Sequence, residues 1–161
     1  MARSLGSRLP EGLLKRLSDP DISQKASRVI IFTTVDEQGF PHHGMLSPFE
    51  VVARVPSRLL MLTYANSRST RNMKRTGTVT LLFVDEEMSY YVKGRCRETD
   101  IEIPEAPGEI VFSVEVMDVI DDRVPTAQVL TGITFEGYDP GMTREGRENV
   151  FRSLIRLSAE T

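Results

Sequence analysis

The stretch Leu59-Leu60-Met61-Leu62-Thr63-Tyr64-Ala65-Asn66-Ser67-Arg68-Ser69-Thr70-Arg71-Asn72-Met73-Lys74-Arg75 decides how this chain is read. Its first six residues form an apolar strand run. Hydroxyl and basic residues then open a short helix, expected at about 69–76, and a second apolar run, Val79–Val84, follows. A strand that leads into a helix start is a place to hold an anion, because the first helical N–H groups lack partners and the helix dipole favours negative charge there. Arginines add charge-assisted, bidentate bonds to phosphate. A phosphorylated small molecule is therefore expected at this corner. The plain alternative is a solvated basic face, since Arg68, Arg71 and Arg75 stand at i, i+3 and i+7 of a helix.

Working outward, Arg28–Val35 is rich in β-branched residues and predicts a strand. Asp36-Glu37-Gln38-Gly39 predicts a hairpin turn, with Gly39 free to take positive φ. His42–Ala53 is the return strand, bent near Pro48, which has no N–H for a ladder. Further strands are expected at Arg58–Tyr64, Thr78–Val84, Met88–Thr99 and Ile110–Ile120, and Gly77 suits the end of the helix between the first two of these. A short helix is expected at Glu11–Leu17, and a C-terminal helix at Thr143–Leu157 with Thr143 as N-cap. That helix would bury Val150, Phe151, Leu154, Ile155 and Leu157. The stretch Asp121–Met142 gives no clear signal. The expectation is a single α+β domain, 1–161, that is mainly β. Its core is a six-stranded antiparallel barrel, closed or nearly so, with short peripheral helices.

The bulk properties narrow the function. Hydrophobic residues make up 40% of the 161 residues and charged residues 27%, which is ordinary for a globular domain. The net charge of -3 argues against a protein that mainly neutralises nucleic-acid phosphates. The lone cysteine, Cys96, excludes an internal disulfide. No signal peptide or membrane-spanning run is visible, so a cytoplasmic location without membrane attachment is expected. His42 and His43 are adjacent on a strand and point to opposite faces, so no metal site is expected. Arg95 and Arg97 flank Cys96 and favour a thiolate, but no partner arrangement supports a nucleophile. Tyr90 and Tyr91 alternate across their strand, one toward the core and one outward.

The order of these segments carries a resemblance. Gly39-Phe40-Pro41-His42-His43-Gly44-Met45-Leu46, then Ser67-Arg68-Ser69-Thr70-Arg71-Asn72-Met73, then Val79–Val84, then Tyr90-Tyr91-Val92-Lys93-Gly94-Arg95, resembles the FMN-binding split-barrel superfamily of pyridoxamine 5'-phosphate oxidase and its flavoprotein relatives. The likeness covers roughly residues 25–120, the expected barrel core. It implies a homodimer with FMN at the subunit interface and flavin-borne redox chemistry, with a nicotinamide or another small molecule as co-substrate. It places the flavin against His43, Gly44, Met45, Leu46 and Ser47. Thr63 and Tyr64 would lie beside the ring or ribityl chain. Arg68 and Ser69 would meet the phosphate, with Ser67 and Asn72 in support. No side chain is required as a nucleophile and no catalytic residue is assigned; His42 or His43 near the ring, as a hydrogen-bond partner or proton donor, stays open beside a half-exposed turn role.

The departures from the oxidase pattern are specific. Ser69 stands where the oxidase has a lysine beside its phosphate arginine, Gly44 where it has an arginine, and Phe49 where it has a basic residue. The oxidase's substrate-binding C-terminal segment has no counterpart, so oxidation of pyridoxamine 5'-phosphate itself is not expected. Split-barrel relatives also bind deazaflavin F420 or haem, and those ligands, like a non-enzymatic binding role, stay open.

Overall fold

The computed structural model describes residues 1–137 and 142–160. Its core is one antiparallel sheet built from β1 (Arg3–Ser4), β2 (Ile30–Val35), β3 (Pro41–Leu46), β4 (Val51–Val55), β5 (Arg58–Tyr64), β6 (Thr78–Asp85), β7 (Met88–Glu98) and β8 (Glu109–Asp121). Helix α1 (Glu11–Ser18) precedes β2, α2 (Arg68–Thr76) joins β5 to β6, and α3 (Arg144–Ser158) is the last described element. The strand order is β3-β2-β6-β7-β8-β5-β4, with β1 added to β8.

Eight strands replace the expected six, for two reasons. The short β1 pairs Arg3 with Asp121 and Ser4 with Ile120, a contact too brief to leave a pattern in the sequence. The expected strand His42–Ala53 is broken by a single 3-10 turn, Pro48–Glu50. Proline fits the first position of such a turn, and Ser47 and Glu50 close a reciprocal capping box around it. Glu50 Oε2 accepts from the Ser47 N–H at 2.5 Å and from Ser47 Oγ at 2.9 Å. The two halves then diverge to opposite ends of the ladder, β3 pairing only with β2 and β4 only with β5. The barrel is of the split type, as expected, and its sheet is not closed: Ser47–Glu50 links its two edges through the chain rather than through strand pairing.

The local signals hold where they are short-range. Asp36 Oδ1 accepts from the N–H groups of Gln38 and Phe40, both at 2.9 Å, and Gly39 takes φ +86° in the hairpin. Gly77 ends α2 at φ +66°.

Two apolar cores flank the sheet. One fills the barrel with Phe32, Leu46, Met61, Leu81, Val92 and Phe112, closed off by Leu13 and Leu17 of α1. The other lies beneath α3, where Val150, Phe151 and Leu154 meet Phe49, Val52 and Leu62. Ile155 and Leu157 are only partly buried against it. Residues 122–137 form an irregular strap that returns beside the chain before β2, through Val29 N–H to Ile133 O and Phe135 N–H to Ser27 O, both 2.9 Å. The remainder of the stretch that gave no sequence signal, 138–141, lies outside the described residues. Among the described residues no helix is long and apolar enough to cross a membrane.

The departures at Gly44 and Phe49 have a packing cause. Gly44 faces Phe32 across the β2–β3 pair, and a Cβ there would lie 2.4 Å from the Phe32 ring. Phe49 is buried edge-on against Phe151, with ring centroids 6.3 Å apart. Gly44→Ala is expected to cost about 1–3 kcal/mol in urea denaturation, the usual cost of overpacking. Phe32→Leu should relieve that clash, so the double variant should be more stable than the sum of the single losses.

Candidate functional site

The corner between β5 and α2 is built on hydroxyl groups. The Ser67 side chain caps the helix by accepting from Thr70 N–H at 3.0 Å. The Thr70 hydroxyl, fully buried, donates to Tyr64 O at 2.8 Å and lies 2.9 Å from both Ser67 Oγ and Thr63 Oγ1. Asn72, also buried, donates from Nδ2 to Thr34 Oγ1 of β2 at 3.0 Å. Ser67, Thr63 and Asn72 thus hold α2 against the sheet from behind. Ser69 is buried in the first turn, and Arg68 beside it is exposed.

The cations of α2 divide clearly. Arg71 donates to Asn66 O at 2.9 Å, Arg75 donates to Val35 O at 2.5 Å, and Lys74 pairs with Glu98 at 2.8 Å. Arg68 alone has no hydrogen-bond or ion-pair partner among the described residues. The N–H groups of Arg68 and Ser69 occupy the first helical positions, which have no acceptor within the helix.

A second group of the expected residues meets elsewhere. Met45, Leu46, Ser47 and Tyr64 line a cleft of about 390 Å³, together with Glu50 and Arg147. Tyr64 belongs to both places: its ring lines the cleft, and its carbonyl oxygen accepts from Thr70 at the corner. His43 and Gly44 lie further along β3. His43 Nδ1 is 2.9 Å from Thr33 Oγ1 on the outer face, and Gly44 faces inward under Phe32.

Sequence reasoning did not single out Arg147, Glu50, Glu109 or the strap residues Phe135–Gly137 that close the cleft. Arg147 projects from the first turn of α3 and is 5% exposed. Its Nη1 lies 3.1 Å from Glu109 Oε1 and 3.9 Å from Glu50 Oε1, and its Nη2 donates to the Tyr64 hydroxyl at 3.2 Å. Burial raises the Glu50 carboxyl above the ordinary carboxylate range, even though Ser47 and Arg147 work against that shift. The one available signal was an arginine early in an otherwise apolar helix stripe, and nothing local names its partners.

The remaining candidates have plain roles. The Cys96 thiol is 7% exposed and burial pushes it up to about 11, so the flanking arginines do not activate it. Tyr90 packs in the barrel core, and Tyr91 points outward and donates to Asp122.

The family model described as pyridoxamine 5'-phosphate oxidase matches residues 23–109, more than half of the chain. The chain belongs to the pyridoxamine 5'-phosphate oxidase family. The match starts before β2 and ends at the first residue of β8, so it takes in both the α2 corner and the β3 side of the cleft. The uncharacterized protein YclD of Bacillus subtilis (strain 168) is 24% identical over 133 residues, spanning 82% of this chain and 86% of YclD. Among solved structures, a protein of Lactobacillus delbrueckii provisionally assigned as a pyridoxamine 5'-phosphate oxidase has a TM-score of 0.59 at 19% identity, covering 73% of this chain and 98% of its own. An F420 reductase has a TM-score of 0.50 at 14% identity, covering 69% and 98%. HutZ, the heme storage protein from Vibrio cholerae, also has a TM-score of 0.50, at 13% identity, covering 70% and 93%. These likenesses establish the split-barrel fold.

Arg147→Met would leave two carboxylates buried without their shared cation. It is expected to destabilise the protein by about 3–5 kcal/mol near neutral pH in urea denaturation. The Glu50 carboxyl, already raised by burial, would lose the Arg147 charge that works against that shift, so its folded pKa would stay above its unfolded one. Stability is lost as pH rises through that window, so the deficit should shrink toward about pH 4, where Glu50 is protonated on folding.

Proposed function

We propose that this protein is an FMN-binding flavoprotein of the pyridoxamine 5'-phosphate oxidase-related type, working as an FMN-dependent oxidoreductase on a small molecule. The carrying observation is the single unpartnered cation of α2, Arg68, beside two open N–H groups. A dianionic phosphate fits that donor set. Arg68 and Ser69 would hold the phosphate, while Ser67, Thr63 and Asn72 fix the corner behind it.

Tyr64 connects this corner to the cleft, whose size and largely apolar wall of Met45, Leu46 and Phe49 suit a flat aromatic ring. FMN, when bound, supplies two-electron redox chemistry through its own ring. The chain's part is to orient and to exclude water. Arg147 holds the Tyr64 hydroxyl at the cleft wall, and Phe135–Gly137 cover one side. Ser47 lines the cleft at the end of β3, whereas His43 and Gly44 lie further along the strand and do not.

We assign the working unit as a homodimer. Met45 is 73% exposed on the outer face of β3, beside half-buried Ile31 and Leu82 on the neighbouring strands. A second copy covering this face would bring its own surface to the cofactor. A nicotinamide is the proposed reductant, and the cytoplasm the proposed location.

Denaturing the purified protein should release FMN, identified by its mass; F420 or haem in its place would overturn the reading. Arg68→Ala should weaken FMN binding by about 1.5–3 kcal/mol in a fluorescence titration, as expected for bonds to a charged partner. Unchanged affinity would remove Arg68 from the site.

A further inference from the structure

A second groove lies away from the α2 corner, and its charge is not balanced. Arg58 of β5, Glu115 of β8 and Arg95 of β7 form one row across three adjacent strands. Arg97 stands two rows along on the same face, opposite Ser113. Together with Ser57, these residues line a groove of about 560 Å³. Residues directly opposite on neighbouring strands lie close enough to interact, so Arg58 and Arg95 flank Glu115 from its two sides. Two guanidinium groups thus flank one carboxylate, and a third lines the same groove. None of the three has a hydrogen-bond or ion-pair partner among the described residues, and Glu115 lies in no ion pair there.

The arrangement is stiff. The β7–β8 register shifts between Lys93 and Gly94, immediately before Arg95, and such bulges re-aim the side chains that follow. Gly94 is wedged so tightly that a Cβ would lie 2.2 Å from Val114 Cγ1. The arginines therefore project from a fixed backbone into a concave, hydroxyl-bearing groove, and the local charge is +2 on a chain of net charge -3.

We infer that this groove is an anion site, separate from the proposed cofactor site, for a compact phosphorylated small molecule carrying at least two negative charges. Planar guanidinium forks match phosphate oxygens bidentately, and the Ser57 and Ser113 hydroxyls add neutral donors. A nucleic-acid backbone is disfavoured, because the basic residues occupy one short groove and the rest of the chain is acidic.

Inorganic pyrophosphate titrated calorimetrically into the purified protein tests this. Saturable binding is expected, weakened at least about tenfold by Arg95→Gln and by Arg58→Gln, in keeping with loss of a charge-assisted bond. Glu115→Gln should tighten it. Arg68→Ala should leave it unchanged, which separates this groove from the α2 corner whether or not FMN binds there. The absence of saturable binding, or indifference to Arg95→Gln and Arg58→Gln, would overturn the inference. So would loss of binding in Arg68→Ala with retention in Arg95→Gln, because the anion would then belong to the corner.

Discussion

The Thr70 hydroxyl is the interaction on which the rest of the site depends. A hydroxyl has one proton and two lone pairs, and all are used here. It donates to the Tyr64 carbonyl and is approached by the hydroxyls of Ser67 and Thr63, with no exposure to water. This saturated node fixes where β5 stops and where α2 starts. It sets the direction of Tyr64 and turns Arg68 outward with the first helical N–H groups. Buried polar groups are costly unless every bond is made, so a complete network is also a rigid one.

Arg147 provides the matching constraint on the other side of the cleft. The apolar stripe of α3 docks on Phe49 and its neighbours, and that docking brings Arg147 down between Glu109, Glu50 and the Tyr64 hydroxyl. Glu50 in turn closes the turn that separates β3 from β4. One arginine therefore couples the C-terminal helix, the break between the sheet's two edges and the aromatic wall of the cleft. A basic residue at the Phe49 position would disturb this packing, which accounts physically for the departure from the oxidase pattern there.

The parts of the fold that were legible in the sequence are those governed by near neighbours. The Asp36–Gly39 hairpin, the β5–α2–β6 unit with Gly77 at the end of its helix, and the α3 stripe all follow from residues a few positions apart. The break at Pro48 was legible only as a bend, because whether a strand bends or ends depends on which partner each half finds. Met45, Leu46, Ser47 and Tyr64 were marked in the sequence, and the structure brings them to one cleft. Arg147 and the strap Phe135–Gly137 were not marked, since their partners lie far away along the chain. The buried bond from Asn72 to Thr34 and the ring over Gly44 are likewise products of strand register, which a single sequence does not display.

The central claim is that the β5–α2 corner grips a phosphate, and riboflavin is FMN without that phosphate. Comparing the two flavins in parallel fluorescence titrations against the purified, ligand-stripped protein isolates this grip from everything the ring contributes. The account predicts that FMN binds about 10- to 100-fold more tightly than riboflavin, as one or two charge-assisted bonds would give. Equal affinities for the two flavins would contradict it.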